Sequence, residues 1–283
     1  MEIIKFENVN KIYKKNHALK DFSWSVEKNK IHALLGHNGA GKTTSFLIAN
    51  KLIPANSGEI LLFGKNRISK KEMRNIGFLT EKLKLYEDLS VKAVLSFFCD
   101  IFSIKDKKKK ISELADIFGL NDFLSKDIKK LSTGMYKKTA LAVTIINDPE
   151  IIFLDEPFAG LDPVIVKEIS NILIEYKENR GKTIILSSHN LREVEAVTEH
   201  ITIMKDGEKI ISDSLENLFD KYRLDKSFNI FYLNGNKEIT ETVKDEHALY
   251  TKLKELNERG AHITSISENK ISLTDIYNRI YEK

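Results

Sequence analysis

Apolar and polar residues alternate through IIKFENV near the start of the chain and again through ALKDFSWSVEK, where Phe22, Trp24 and Val26 fall on a period of two. Alternation of this kind predicts half-buried strands, here an antiparallel edge sheet. The run KIHALLG is continuously apolar and reads as a buried strand, followed by a helix over Thr43–Leu52 that stops before Pro54 and the turn signal ANSGE. Strands GEILLFG and IGFL come next. From about residue 87 to 130 the period becomes helical, with VKAVLSFFCDIF and ISELADIFGL joined through KDKKKK as an inserted helical unit. Strand patterns return at IIFLDE and TIILSS on either side of the helical VIVKEISNILIEYKE, the alternation of a parallel sheet with helices packed on it. ITIMKDGEKIISD reads as a hairpin turning at Asp206 and Gly207.

Residues 216–283 read as a small α/β appendage: strand SFNIFYL, helix EHALYTKLKELNERG, strand HITSIS and helix LTDIYNRIYEK. In the first of these helices Leu249, Leu253 and Leu256 make one stripe for burial. The division predicted is a main domain over 1–215 and an accessory domain over 216–283.

Composition narrows the class without choosing a function. A length of 283 residues suffices for a large core. The 45 basic and 41 acidic side chains are too nearly balanced to argue for a nucleic-acid binder on charge alone, and none is expected. No apolar run reaches the roughly 18 residues of a membrane span, and the N-terminus does not resemble a signal peptide, so the chain is expected in the cytoplasm. The single cysteine, Cys99, lies in an apolar stretch and reads as a buried thiol, leaving neither redox chemistry nor zinc.

The chemistry concentrates in GHNGAGKT, Gly36 to Thr43, between a strand and a helix. Gly36, Gly39 and Gly41 let successive N–H groups of the loop point inward at phosphate oxygens. Lys42 supplies a point charge to β and γ phosphates, Thr43 a hydroxyl for Mg²⁺, and the helix start the positive end of its dipole. This is a site for a nucleoside triphosphate. Asp155 and Glu156 close the apolar strand IIFL, where ligands meet an open α/β sheet. Asp155 is placed to hold the metal, and Glu156 to polarise the water that attacks the γ-phosphate.

With LSTGM at Leu131–Met135 shortly before IIFLDEP, roughly residues 1–215 resemble the ATP-binding subunits of ABC transporters, of the exporter type. Thr133 and Met135 depart from that family's usual LSGGQ, whereas Ser132 and Gly134 remain. The resemblance implies an α/β phosphate-loop NTPase core with an N-terminal antiparallel β subdomain, an inserted helical subdomain and the C-terminal appendage. It implies ATP and Mg²⁺, with ATP held by Gly36, His37, Asn38, Gly39, Ala40, Gly41, Lys42, Thr43 and Thr44 of one copy, and Ser132 and Gly134 of a second copy closing on the γ-phosphate. Tyr13 falls where an aromatic ring stacks on adenine, His189 where a switch histidine meets the γ-phosphate, and Asp162 in a loop linking the two sites of the dimer. Glu81 stands where many relatives carry glutamine, and is expected to serve Mg²⁺ and water or to contact a partner. A separate membrane permease, docked around Leu85, Tyr86 and Leu89, receives the motion, which places the chain peripherally on the cytoplasmic membrane face. Export of a drug, antimicrobial peptide or lipid is the expected transport. The alternative is a non-transport ATPase of the same superfamily acting on ribosomes or nucleic acid.

Overall fold

The opening alternation folds as β1 (Glu2–Tyr13) and β2 (Asn16–Glu27), paired antiparallel with Phe6 opposite Trp24 and Val9 opposite Phe22. β3 (Ile31–Leu35) and α1 (Lys42–Ala49) follow, and β4 (Ser57–Leu62) joins the free edge of β1 in a three-stranded sheet of order β2-β1-β4. The rings of Phe6, Phe22 and Trp24 lie 5.5 to 6.0 Å apart in a buried cluster. Each such ring contributes roughly 2 to 3 kcal/mol of apolar burial. Phe46 of α1 belongs to the same core and packs edge-on against Phe153, 5.1 Å between centroids, so this cluster joins the first sheet to the second.

The computed structural model describes residues 1–222, 227–234, 237–269 and 272–281. It divides into two units, Met1–Leu215 and Glu216–Lys283. In the first, α2 (Lys70–Met73) is a single turn closed by a capping box between Ser69 and Glu72, and β5 (Ile76–Leu79) follows it. α3 (Val91–Ile101) and α4 (Lys107–Phe118) bury Val94, Leu95, Leu114 and Phe118. α5 (Thr133–Thr144) leads into β6 (Ile151–Asp155), α6 (Pro163–Arg180) into β7 (Thr183–Ser188), and α7 (Leu191–Glu195) into β8 (His200–Lys205). β9 (Glu208–Ser214) comes last, and α8 (Leu215–Lys221) starts at its end and belongs, from Glu216 on, to the second unit.

The second sheet has the order β5-β6-β7-β3-β8-β9, parallel except for β9. Every residue of β3, β6 and β7 is buried, as a parallel sheet covered on both faces requires. Leu35 pairs with Ser188 and Asp155 with Ser187, so these three strands end level and their following loops emerge side by side. This is the α/β class expected. Among the described residues no helix is long and apolar enough to cross a membrane.

The lysine run differs from its reading as a connector. Asp106 caps α4, accepting from the Lys109 amide at 3.0 Å, and Lys107–Lys110 form the first helical turn. Four cations at the positive end of a helix dipole are unfavourable alone. Asp100, paired with Lys107, and Glu113, 3.4 Å from Lys110, offset them along with the cap. Cys99 is buried, and burial raises its thiol pKa, in keeping with a structural thiol.

The second unit contains β10 (Ser227–Asn234), β11 (Lys237–Val243), α9 (Glu246–Glu258), β12 (His262–Asn269) and α10 (Leu273–Tyr281), with antiparallel order β11-β10-β12. Leu249, Leu253 and Leu256 of α9 pack on Ile230 and Tyr232. β11 has no counterpart in the sequence reading. Ile239 and Val243 face the same side as Tyr232 and Phe228, but Glu241 sits between them and breaks the apolar alternation. Its carboxylate accepts from Tyr232 Oη at 2.6 Å and pairs with Lys252 Nζ at 2.6 Å, which makes a charge tolerable there.

Candidate active site

The loop between β3 and α1 is shaped by close backbone approach. A Cβ on Gly36 would lie 2.6 Å from the Met204 carbonyl oxygen, and one on Gly41, where φ is +108°, 2.5 Å from the Ala18 carbonyl oxygen. Neither position accepts a side chain. The turn at Asp206 and Gly207, both with positive φ, buttresses this loop from outside: the Gly207 amide donates to the Ala40 carbonyl at 3.1 Å, and the Lys20 amide of β2 donates to the Gly207 carbonyl at 2.9 Å.

Lys42, the first residue of α1, turns back across the loop and donates from Nζ to the carbonyls of Gly36 at 2.7 Å and His37 at 3.3 Å. The same ammonium lies 3.7 Å from Glu156 Oε1. Burial lowers its pKa, and the carboxylates of Glu156, Asp155 and Glu81 oppose that. Thr43 Oγ1 donates to Asp155 Oδ2 at 2.9 Å, and Ser187 Oγ to Asp155 Oδ1 at 2.6 Å. A hydroxyl and a carboxylate side by side form a hard oxygen set that suits Mg²⁺.

Glu156 follows Asp155 with φ of 50°. This left-handed conformation costs a non-glycine residue roughly 1 to 3 kcal/mol and must be held by its surroundings. The Glu156 amide donates to Ser187 Oγ at 3.0 Å, and its carbonyl accepts from the Ala159 amide and Lys137 Nζ, each at 3.3 Å. The carboxylate meets His189 Nδ1 at 3.0 Å.

An open cleft of about 410 Å³ gathers Tyr13, Asn38, Gly39, Ala40, Gly41, Lys42, Thr43, Thr44, Glu81, Glu156 and His189. Tyr13 is partly exposed at its mouth, with Lys11 Nζ 5.1 Å from the ring centroid. Asp155 sits behind the lining. Gly36 and His37 form the rear of the loop instead of the cleft wall; His37 Nδ1 donates to the Asn38 carbonyl at 2.8 Å. Asn16 and Ala18, also in the lining, were not anticipated, nor were Ser187 and Lys137. Ser187 is the penultimate residue of an all-buried strand, and Lys137 lies two residues before the buried run of α5 that starts at Thr139, so a polar residue at the margin of an apolar segment was the available signal.

Ser132 and Gly134 lie outside this cleft. Ser132 caps α5, its Oγ accepting from the Met135 amide at 3.3 Å, and Gly134 is buried against Ile165, whose side-chain atoms lie 3.2 to 3.3 Å from where a Cβ would stand. Asp162 caps α6 in the same way, accepting from the amides of Val164 and Ile165 at 3.0 and 3.1 Å. Of the apolar cluster expected at a docking groove, Leu85 is interior, and its amide and the carbonyl of Leu83 are tied to Tyr136 Oη. Tyr86 and Leu89 are exposed, and Tyr86 packs edge-on against Phe97 at 5.3 Å.

A glycine loop closed by lysine and threonine, facing two carboxylates at the end of β6, a parallel strand one removed from β3, defines a phosphate-loop nucleoside triphosphatase. The profile of the family described as ABC transporter matches residues 19–159. An uncharacterised ABC transporter ATP-binding protein of Methanocaldococcus jannaschii is 33% identical over 276 residues, covering 97% of each chain. The lantibiotic transport ATP-binding protein SrtF of Streptococcus pyogenes is 33% identical over 77% of this chain and 96% of its own. A solved dimeric ATP-binding cassette, bound to ADP and phosphate after hydrolysis, is similar with a TM-score of 0.67 and 25% identity, over 75% of this chain and 98% of its own. The chain belongs to the ABC transporter family, as a nucleotide-binding, ATP-hydrolysing subunit. An ATPase directed at ribosomes or nucleic acid is not favoured, since SrtF is named for transport and the archaeal relative as part of a transporter.

Proposed function

We propose that two copies of this chain close head to tail on two ATP molecules and drive a separate membrane permease, from the cytoplasmic membrane face, for export of a drug, antimicrobial peptide or lipid. The observation that carries this reading is the distribution of the site. Lys42, Thr43, Glu156 and His189 share one cleft, while Ser132 stands outside it at a helix N-terminus suited to phosphate. A second copy of the chain supplies what one copy lacks. The dimeric form of the solved cassette supports a paired assembly, and the lantibiotic transport in the name of SrtF supports a role in transport.

In this reading residues 1–215 are the ATP-binding domain and 216–283 an accessory domain. The amides of Gly36–Thr44 and the Lys42 ammonium bind the phosphates, and Tyr13 stacks on adenine. Thr43 and Asp155 hold Mg²⁺, with Glu81 beside them, and the ion neutralises phosphate charge when bound. Glu156 takes a proton from the attacking water as the water oxygen bonds to the γ-phosphorus and the bond to the β–γ bridging oxygen breaks. His189 holds the Glu156 carboxylate and faces the γ-phosphate. Ser132 and Gly134 of the second copy close the site, and release of ADP and phosphate lets it reopen.

Glu156→Gln keeps the size of the side chain and removes the base. Hydrolysis should fall by about 10² to 10⁴ while ATP still binds. On a sizing column with ATP and Mg²⁺ this variant should elute as a dimer; a monomer at saturating ATP would overturn the head-to-tail assembly.

A further inference from the structure

α5 touches the cleft of its own protomer through two adjacent residues one turn beyond its cap. Tyr136 Oη donates to the Leu83 carbonyl at 2.7 Å and accepts from the Leu85 amide at 2.9 Å, which anchors α5 to the segment that follows Glu81. Lys137 reaches the other way, to the carbonyl of Glu156. The geometry of Glu156 explains why such a contact matters. Its peptide is left-handed, and its amide and carbonyl are each held from outside, the amide by Ser187 and the carbonyl by Ala159 and Lys137. The direction in which the carboxylate leaves that backbone decides where it points. A one-ångström misplacement of a reacting group is enough to cost about 10²-fold in rate.

Charge supports the same role. Burial lowers the pKa of Lys137, and the carboxylates of Glu81, Glu156 and Asp155, in that order, oppose the shift. Glu81 brings a second carboxylate to a cleft that already holds Glu156, and the half-buried ammonium of Lys137 adds positive charge to the same region.

We infer that Lys137 is a positioning residue for hydrolysis: its ammonium fixes the left-handed peptide of Glu156, and so aims the carboxylate. The inference rests on the reading of Glu156 as the base. It also gives α5 a double task. The helix that offers Ser132 to a second copy holds, five residues on, the base of its own copy, so movement of α5 on closure reaches both sites.

The test is steady-state ATP hydrolysis by the full chain, with nucleotide affinity measured separately by a fluorescent ATP analogue and folding by thermal melting. Lys137→Met should lower kcat at least about tenfold while KM, affinity and melting temperature stay near the wild-type values. Lys137→Arg, which keeps the charge and a donor, should recover kcat to within about threefold. In a Glu156→Gln background Lys137→Met should have no further effect, because its action passes through the missing base. The inference is overturned if Lys137→Met keeps wild-type kcat, if its loss multiplies with that of Glu156→Gln, or if arginine fails to rescue. Should Lys137→Met not fold, Lys137→Gln takes its place under the same criteria. If Glu156→Gln alone hydrolyses ATP normally, the base assignment fails, and that outcome is distinct from a failure at Lys137.

Discussion

Nδ1 of His189 lies 3.0 Å from Oε2 of Glu156, joining a half-exposed ring to a carboxylate only 12% exposed. A carboxylate accepts, so Nδ1 carries the proton in this pair. The ring therefore holds Glu156 in one orientation from the open side of the cleft. His189→Ala should lower ATP hydrolysis about 10²-fold with little change in ATP affinity. Phosphate release against ATP concentration checks this, and a rise in KM at unchanged kcat would contradict it.

Asp155 is fully engaged by two hydroxyls, those of Thr43 and Ser187. Removing the carboxylate as Asp155→Ala strands the buried Ser187 hydroxyl, which should cost about 1 to 3 kcal/mol of stability, while exposed Thr43 turns to water. It should also abolish the gain in ATP affinity that Mg²⁺ confers. Isothermal titration with and without the metal measures the second effect, and urea unfolding the first.

Gly134 has contact with Ile165 where a side chain would begin. Gly134→Val should overpack the boundary between α5 and α6 and destabilise the fold by about 1 to 3 kcal/mol. A second substitution, Ile165→Ala, should recover part of the loss. Denaturation midpoints of the single and double variants decide whether crowding is the cause.

His32 is buried in β3, its Nε2 donating to the Glu27 carbonyl at 2.9 Å and its ring 5.2 Å from that of His200. Burial is the main reason its pKa falls to about 4; His200 and Lys30 add to the fall, and the Glu27 carbonyl and charge oppose it. The folded state thus keeps this ring neutral where the unfolded chain would protonate it. Stability is complete above the ordinary histidine value near 6.5 and is lost as pH drops toward 4, by up to about 3 kcal/mol. Urea unfolding at pH 7 and pH 4.5 should show that loss, and His32→Gln should reduce it.

What the residue pattern makes legible is whatever burial makes one-sided. IHALL, IIFLD and TIILSS are apolar throughout because both faces of the parallel sheet are covered, and a reader of the chain needs no partner information to see a strand there. The glycines of the phosphate loop are equally visible, since backbone contact leaves no room for anything larger at Gly36 and Gly41. β11 is hidden by Glu241, whose charge is acceptable only because Tyr232 and Lys252, distant in sequence, meet it. Lys107–Lys110 look like a linker until Asp106 is seen capping them. Lys137 is hidden for a related reason: one of two neighbouring lysines turns inward, and only the placement of the Glu156 carbonyl tells which.

The Asp206–Gly207 turn has a meaning of its own. Its amide and carbonyl stitch the phosphate loop to β2, although no nucleotide-binding motif extends so far along the chain. A β-carbon at Gly207 would stand 3.0 Å from the Ala18 carbonyl oxygen. A lesion there would therefore surface as impaired ATP capture, and a geneticist surveying the motifs alone would have no cause to suspect this corner of the protein.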